Sequence, residues 1–231
     1  MIEAIIFDKD GTLFDFRSSW GVWAQRLIAD LATSPDHALI LERVMGYRLA
    51  NQQFSPDSPV IAMTTPEIAD IVLPHVPELT LADLNARMNA LAQSAQMRPA
   101  VDLGAVLGAL RARGLWLGLA TNDTEAPARA HLAQAGVLDL FDFVAGCDSG
   151  WGGKPAPGQL LAFAAQTGIL PHRIAMVGDS LHDLHAGRAA GMHTVAVLTG
   201  VADAATLAPH ADVVLADIAG LGGWIDSLAQ V

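Results

Sequence analysis

The sequence predicts an α/β fold, in which a parallel β-sheet carries helices on both faces and a small helical domain is inserted after the first strand. Three observations lead to this prediction. Short apolar runs of strand length recur along the chain, Ala- and Leu-rich segments of helical length separate them, and residues 16–95 break that rhythm. Alternation of strand, helix and strand implies parallel strands joined by crossover helices.

The first strand is predicted at residues 2–7, where an apolar run rich in β-branched residues stops at a polar loop beginning with Asp8. Such a run is typical of a buried strand in a parallel sheet. A shorter apolar run covers residues 143–145. The remaining strands are predicted at residues 115–120, 174–177, 194–198 and 213–215.

The stretch from residue 16 to residue 95 contains no convincing strand and shows helical apolar spacing instead. Several prolines punctuate its middle. We therefore expect a small helical domain at residues 16–95, inserted into an α/β domain made of residues 1–15 and 96–231; the family resemblance described below implies that these are a cap domain and a catalytic core. Helices are predicted at residues 19–31, 36–52, 65–73 and 80–96.

Composition excludes several classes of protein. The formal net charge is −11 with 13 Lys and Arg residues, which argues against a nucleic-acid-binding surface. No apolar run reaches the roughly 18 residues of a membrane span, and the first residues lead into a charged segment rather than a signal-peptide cleavage site. We expect a cytoplasmic protein. The single cysteine, Cys147, cannot form an intramolecular disulfide, so redox chemistry is not expected.

Two carboxylates, Asp8 and Asp10, follow the first strand at the edge where open parallel sheets place their ligand crevice. Carboxylates this close repel each other, and a divalent cation with a preference for hard oxygen ligands, such as Mg²⁺, would relieve the repulsion. Gly11 and Thr12 could then offer backbone N–H groups and a hydroxyl to a phosphate oxygen. An ordinary solvated turn is the alternative.

Polar residues also follow the other strands of the predicted sheet. Taken singly, each has an ordinary explanation: Thr121-Asn122 and Asp179 could cap helices, and Lys154 could be a surface lysine in a glycine-rich turn. Asp183 comes four residues after Asp179. Together, groups suited to phosphate or metal at four strand ends favour a shared site over coincidence.

These segments resemble the sequence motifs of the haloacid dehalogenase superfamily in order and spacing. The resemblance is closest to phosphoglycolate phosphatase-like members, which have a Rossmann-like core and a helical C1-type cap after the first motif. The resemblance covers the α/β part of the chain, both before and after the helical stretch. The matching segments are Asp8-Lys9-Asp10-Gly11-Thr12-Leu13, Thr121-Asn122, Lys154-Pro155 and Gly178-Asp179-Ser180-Leu181-His182-Asp183.

The resemblance implies a hydrolase of phosphoric monoesters. Asp8 would attack phosphorus to form an aspartyl-phosphate, and Asp10 would protonate the leaving group and then activate water. The presence of Asp10 weighs against the haloacid dehalogenases themselves and against phosphonate hydrolases. Two departures are Lys9 at the variable middle position of the first motif and Phe16 where many relatives have Ser.

The resemblance also implies a set of ligands. Mg²⁺ would be held by a carboxylate oxygen of Asp8, the main-chain carbonyl of Asp10 and Asp179, with Asp183 as a further ligand or a support. The groups that would hold the phosphoryl oxygens are those of Thr121, Asn122 and Lys154, with Lys154 also reducing charge repulsion at the catalytic centre.

Substrate choice depends on the cap, where sequence patterns are less informative. Arg48 is a candidate to bind a substrate carboxylate or hydroxyl, or else is a solvated helix residue. Trp20 and Trp23 are expected to pack in the cap, and His182 and His185 to lie on a helix surface. We expect a small phosphorylated metabolite as the partner, with 2-phosphoglycolate the first to test, no nucleic acid or membrane, and a monomer or homodimer. The alternatives are a sugar phosphomutase of the β-phosphoglucomutase type and a non-catalytic phosphate-binding module.

Overall fold

The computed structural model describes residues 1–228. Its strands are β1 (Ala4–Phe7), β2 (Tyr47–Arg48), β3 (Gln53–Phe54), β4 (Trp116–Ala120), β5 (Phe143–Ala145), β6 (Ile174–Gly178), β7 (His193–Val197) and β8 (Val213–Leu215). Its α-helices are α1 (Phe16–Leu31), α2 (Pro35–Met45), α3 (Thr65–Val72), α4 (Leu81–Gln93), α5 (Leu103–Ala112), α6 (Glu125–Gln134), α7 (Gly158–Thr167), α8 (Leu181–Ala189), α9 (Ala204–Leu207) and α10 (Leu221–Leu228).

Six strands form one parallel sheet in the order β5-β4-β1-β6-β7-β8. The first strand of the chain therefore lies near the middle, between β4 and β6. Its last residue, Phe7, is level with Leu119 on one side and Val177 on the other. The carboxyl ends of these three neighbouring strands consequently meet at one edge of the sheet.

Helices cover both faces of this sheet, because side chains of a strand alternate between its two faces. In β1, Ile5 and Phe7 pack into a cluster with residues of α5, α6 and α10, whereas Ala4 and Ile6 pack into another with residues of α7 and α8. All four residues of β1 are fully buried. The prediction of a parallel α/β sheet with helices on both faces is confirmed.

Residues 16–95 supply every buried member of a further hydrophobic cluster, which is distinct from the two that pack against β1. Helix α1 begins where the Asp15 side chain accepts a hydrogen bond from the Ser18 N–H at 2.8 Å, which satisfies a free donor of the first turn. Its apolar stripe, which includes Trp23 and Leu27, packs against α2 and α4, and α3 also packs against α4.

One part of this helical stretch differs from the prediction. The helix predicted at residues 36–52 ends at Met45, because Gly46 adopts a left-handed conformation with φ of 61°. Residues beyond it form a short antiparallel hairpin in which Tyr47 is paired with Phe54. The prediction that residues 16–95 contain no strand was therefore wrong. The helical spacing of the apolar residues gave no indication of the turn at Gly46, which is possible because glycine readily adopts a positive φ.

None of the helices formed by residues 1–228 has both the length and the apolar character that crossing a membrane would require.

Candidate active site

The edge where β1, β4 and β6 end gathers the polar residues that follow them. Asp8 follows β1, Thr121 follows β4 and Asp179 follows β6, and all three are buried. The loop after β5 brings Lys154 to the same place, also buried. Together they line one cavity. The parallel register of the strands is the physical reason that residues so far apart in sequence meet here.

Lys154 supplies the positive charge at the base of this cavity. Its Nζ donates to Asp8 Oδ1 at 2.5 Å and to the Ala120 carbonyl at 2.7 Å, and it lies 2.7 Å from Asp183 Oδ1. Burial alone would lower the pKa of Lys154, but Asp183 and Asp8 outweigh that effect and raise it above its ordinary value. The ammonium group therefore stays charged between the two carboxylates.

Three buried carboxylates, those of Asp8, Asp179 and Asp183, offer oxygens that all lie within 4.8 Å of one another. Burial, followed by the charges of Asp183 and Asp10, raises the pKa of Asp8 to about 7 against the effect of Lys154. Burial and the neighbouring carboxylates also raise the pKa of Asp179 well above its usual range. Crowded anionic oxygens with a single ammonium group among them fit a divalent cation.

Asp183 has a structural role besides. It is the third residue of α8, and its Oδ2 accepts hydrogen bonds from the Ser180 hydroxyl at 2.7 Å and the Ser180 N–H at 3.1 Å. This capping box orients the carboxylate so that Oδ1 faces Lys154. One carboxylate thus starts a helix and joins the site.

Two glycines allow the backbone to approach Asp179 closely. A Cβ added at Gly11 would lie 2.4 Å from Asp179 Oδ2, and one added at Gly200 would lie 1.7 Å from the same atom. Only hydrogen fits at these positions. Sequence reasoning missed Gly200, for which the only signal was a glycine shortly after the strand predicted at residues 194–198.

The loop after β1 uses its polar groups internally. The Gly11 N–H donates to the Phe14 carbonyl at 2.7 Å, and the Thr12 hydroxyl donates to Asp179 Oδ1 at 3.4 Å. These groups, expected to contact phosphate, are therefore engaged in shaping the loop and orienting a carboxylate. Asp10 does line the cavity, and its buried Oδ1 has no hydrogen-bond partner in residues 1–228. That oxygen is therefore not engaged by another group of the described chain.

Asn122 links the sheet to the helical stretch. Its Oδ1 accepts from the Lys154 N–H at 2.8 Å, and its Nδ2 donates to the carbonyls of Ala62 at 2.8 Å and Lys154 at 3.0 Å. The side chain of Thr121 accepts from the N–H of Asp123 at 3.1 Å. Both residues line the cavity, where Asn122 also holds the lysine loop in position.

Lys9 was not expected to matter, yet it is fully buried at the centre of a polar network. Its Nζ lies 2.8 Å from Asp123 Oδ2, 3.1 Å from Asp10 Oδ2 and 3.0 Å from His131 Nδ1, and 5.2 Å from the ring centre of Trp20. Burial alone would lower the pKa of Lys9, but Asp10 and Asp123 raise it overall. A lysine at a variable motif position carries no sequence signal for this role.

His131 extends the network towards the helical stretch. Its Nε2 is 2.8 Å from the Ala92 carbonyl, to which it donates, and Nδ1 accepts from the Lys9 ammonium. Burial and then the charge of Lys9 lower the pKa of His131, against weaker opposing effects that include Asp10 and Asp123. The imidazole is therefore neutral at neutral pH.

The remaining predicted residues are placed as follows. Arg48 is exposed and does not line the cavity, since its neighbour Tyr47 takes the inward position of the hairpin. Trp20 and Trp23 pack in the helical cluster as expected, but they also line the cavity. His182 lines the cavity as well. Burial raises the pKa of Cys147 to about 11, which keeps the thiol protonated at neutral pH.

The parallel sheet and the carboxylates with lysine at its edge together define a class of hydrolase. A family model for the haloacid dehalogenase-like hydrolases matches residues 2–191, and the chain belongs to this family. The resemblance inferred from the motifs is thereby confirmed.

Relatives of the chain include two curated bacterial proteins named phosphoglycolate phosphatase. The one from Rhodospirillum rubrum is 29% identical, with the match covering 97% of this chain and 91% of that protein. The one from Nitrosospira multiformis is 32% identical over 86% of this chain and 84% of that protein. A crystal structure of a predicted phosphoglycolate phosphatase from Haemophilus somnus superposes with a TM-score of 0.75 at 20% identity, covering 97% of this chain and 98% of that one.

Proposed function

We propose that this protein is a Mg²⁺-dependent phosphatase that hydrolyses small phosphomonoesters through an aspartyl-phosphate on Asp8. One observation carries the proposal: a buried carboxylate in a cavity is held by a buried lysine, while one oxygen of Asp10 beside it has no hydrogen-bond partner among the described residues. A nucleophile and an acid/base group in one cavity are the minimum that such a reaction needs. Family membership and relatives named as phosphatases support it.

In the first step, a carboxylate oxygen of Asp8 attacks phosphorus and the ester P–O bond breaks. The leaving alkoxide takes its proton from Asp10 and departs as an alcohol. In the second step, Asp10 removes a proton from water as the water oxygen attacks phosphorus. The Asp8–phosphate bond breaks, which regenerates the carboxylate and releases phosphate.

The surrounding charges allow two anions to meet. Lys154 holds Asp8 by a hydrogen bond and offsets its repulsion towards the phosphate dianion. Lys9 holds Asp10 Oδ2, which leaves Oδ1 for the proton transfers. Both lysines are preorganised by their ion pairs, so little rearrangement is needed during the reaction.

The metal ion would be held by Asp8, Asp179 and Asp183, whose crowded oxygens fit it, together with the Asp10 main-chain carbonyl by family resemblance. When bound, Mg²⁺ supplies positive charge to the phosphoryl oxygens and relieves the repulsion among the carboxylates.

Residues 16–95 are proposed to act as the cap, and residues 1–15 and 96–231 as the catalytic core. The two connections run side by side: the Asp15 N–H donates to the Arg98 carbonyl at 2.8 Å, and the Ala100 N–H donates to the Leu13 carbonyl at 2.9 Å. The separate hydrophobic cluster would let the cap move as a unit on this pair of hinges. Closure would exclude bulk water during phosphoryl transfer.

Phosphate release from p-nitrophenyl phosphate and a panel of metabolite phosphates, with and without Mg²⁺, tests the proposal. Asp8→Asn is expected to lower kcat by about 1,000-fold or more, because an amide cannot attack phosphorus. Asp139→Asn, at an exposed position, is the matched control and should keep full activity.

The intermediate can be sought directly by intact-protein mass measurement after rapid mixing with substrate, where only the enzyme with Asp8 should gain a phosphoryl group. Undiminished turnover by a folded Asp8→Asn variant would refute the proposal. Undiminished turnover after thorough treatment with a chelator would contradict the proposed requirement for a metal ion. Isomerisation of a sugar phosphate without phosphate release would identify a phosphomutase instead.

A further inference from the structure

We infer that the cavity selects phosphate esters whose leaving group is uncharged and largely apolar, such as a short branched alkyl or an aryl alcohol, over phosphate esters of hydroxycarboxylic acids. This inference rests on the proposed phosphatase function and specifies its substrate class. It concerns the part of the cavity beyond the phosphate, where the rest of a substrate must lie.

The wall facing the catalytic carboxylates comes from residues 16–95 and is almost wholly apolar. The residues of this wall that line the cavity have hydrocarbon, aromatic or thioether side chains, with the exceptions of Thr65 and Asn89. Asn89 is already engaged, since its Oδ1 accepts a hydrogen bond from the Thr124 hydroxyl at 2.7 Å. Representative apolar members are Phe16, Trp20, Trp23, Ile61, Met63 and Ile68. Such a wall stabilises an apolar group by removing it from water.

Positive charge is confined to the opposite end. Within residues 1–228, no arginine lines the cavity, and the one lysine that does, Lys154, is committed to Asp8 and Asp183. Arg48, the candidate to bind a carboxylate, is exposed and absent from the lining. A carboxylate on the leaving group would therefore enter an apolar wall without a counter-ion.

His182 is the remaining basic side chain in the lining of the described cavity. Its charge also acts on a nearby carboxylate: hydrogen bonds from Thr64 chiefly, and the charge of His182 to a lesser extent, lower the pKa of Glu67. Asp10 and Asp123 also line the cavity, but both are paired with Lys9 and neither offers a positive charge to a further anion. The charges around the leaving group thus disfavour a negative substituent and leave a neutral one unaffected.

Trp20 adds a detail to the wall. Its indole Nε1 is buried and has no acceptor within residues 1–228. Indole donors usually find a partner when they are buried. Among the described residues, the indole N–H of Trp20 therefore remains without an acceptor. A neutral acceptor on the substrate, such as an ether or hydroxyl oxygen, would satisfy it.

A matched pair of substrates tests the inference. 2-Phosphoglycolate and isobutyl phosphate both release a primary alcohol, and two methyl groups of the second replace the two carboxylate oxygens of the first. We expect kcat/KM to be at least about 100-fold higher for isobutyl phosphate, because a buried polar or charged group without partners weakens binding by factors of this order or more.

A cation introduced into the wall should reverse the preference. Met63 lines the cavity and is 44% exposed, so Met63→Lys adds a charge there with little disturbance of the core. It is expected to raise the ratio of kcat/KM for 2-phosphoglycolate over isobutyl phosphate by about tenfold or more. Leu170→Lys, at a position 58% exposed and outside the lining, is the matched control and should leave the ratio unchanged.

Binding measured without turnover separates this inference from the proposed function. In Asp8→Asn with Mg²⁺ present, titration followed by tryptophan fluorescence should give a lower Kd for isobutyl phosphate than for 2-phosphoglycolate. Equal or tighter binding and faster turnover of 2-phosphoglycolate would overturn the inference while leaving a phosphatase. Absence of phosphate release from every ester, p-nitrophenyl phosphate included, would overturn the proposed function instead.

Discussion

Replacing Lys9 by Met should cost the protein much of its stability, although the residue lies at a variable motif position. Methionine nearly preserves the apolar volume of the lysine stem, so no large cavity is created. What is lost is the charge. Lys9 is the cation shared by Asp10 and Asp123, and its removal leaves both carboxylates without an ionic partner among residues 1–228.

The magnitude follows from burial of the three groups. The side chain of Lys9 is 0% exposed, that of Asp123 is 5% exposed and that of Asp10 is 16% exposed. Breaking a buried ion pair by removing one partner typically costs about 3–5 kcal/mol. The free energy of unfolding of a typical domain is about 5–15 kcal/mol, so this loss is a large share of the total. For a chain of this size it corresponds to a Tm lowered by about 6–20 °C.

Urea denaturation followed by tryptophan fluorescence would measure the change, with Trp20 close to the altered residue as a reporter. Arg87→Met is the matched control, because it breaks an ion pair with Asp30 whose side chains are about half exposed. Exposed pairs contribute about 0–1 kcal/mol, so this variant should unfold within about 1 kcal/mol of the wild type.

A double-mutant cycle with Asp123→Asn separates the ion pair from other effects. If the pair accounts for the loss, Lys9→Met with Asp123→Asn should be more stable than the sum of the two single changes predicts, by at least about 1 kcal/mol. The reasoning is refuted if Lys9→Met costs no more than Arg87→Met, or if the two single changes simply add.

Two further predictions concern the metal and pH. Gly200→Ala should weaken Mg²⁺ binding by about tenfold or more in calorimetric titration, because the new methyl group displaces the Asp179 carboxylate. Gly108→Ala, whose added methyl group meets no atom within 4 Å, should bind the metal as the wild type does, and equal affinities for all three proteins would contradict the assignment. Burial and the charge of Lys9 lower the pKa of His131 below 6.5 in the folded protein. The unfolded chain therefore binds this proton more readily than the folded protein does. The free energy of unfolding should consequently decrease as pH falls below about 6.5. His131→Phe should show a shallower fall in the free energy of unfolding between about pH 7 and pH 5, and parallel curves would speak against this role.

Most of the core fold follows from the sequence because its signals are local. An apolar run rich in β-branched residues, such as residues 174–177, has few alternatives to a buried strand, and β6 covers it. Parallel order then places Asp8, Thr121 and Asp179 at one edge whatever the details of packing. The meeting of these residues was therefore predictable, and the structure has them lining one cavity.

Packing between distant segments decided the rest. Lys9 acquires its distant partners Asp123 and His131 from α6 and the loop before it, and Gly200 approaches Asp179 from beyond β7, so neither relation leaves a local pattern. Arg48 was predicted to lie in a helix, but the turn at Gly46 placed it at an exposed position of a short hairpin. Apolar periodicity reports which residues of a segment are buried and not what they face. Only the tertiary structure therefore decided that the wall opposite Asp8 is apolar and uncharged.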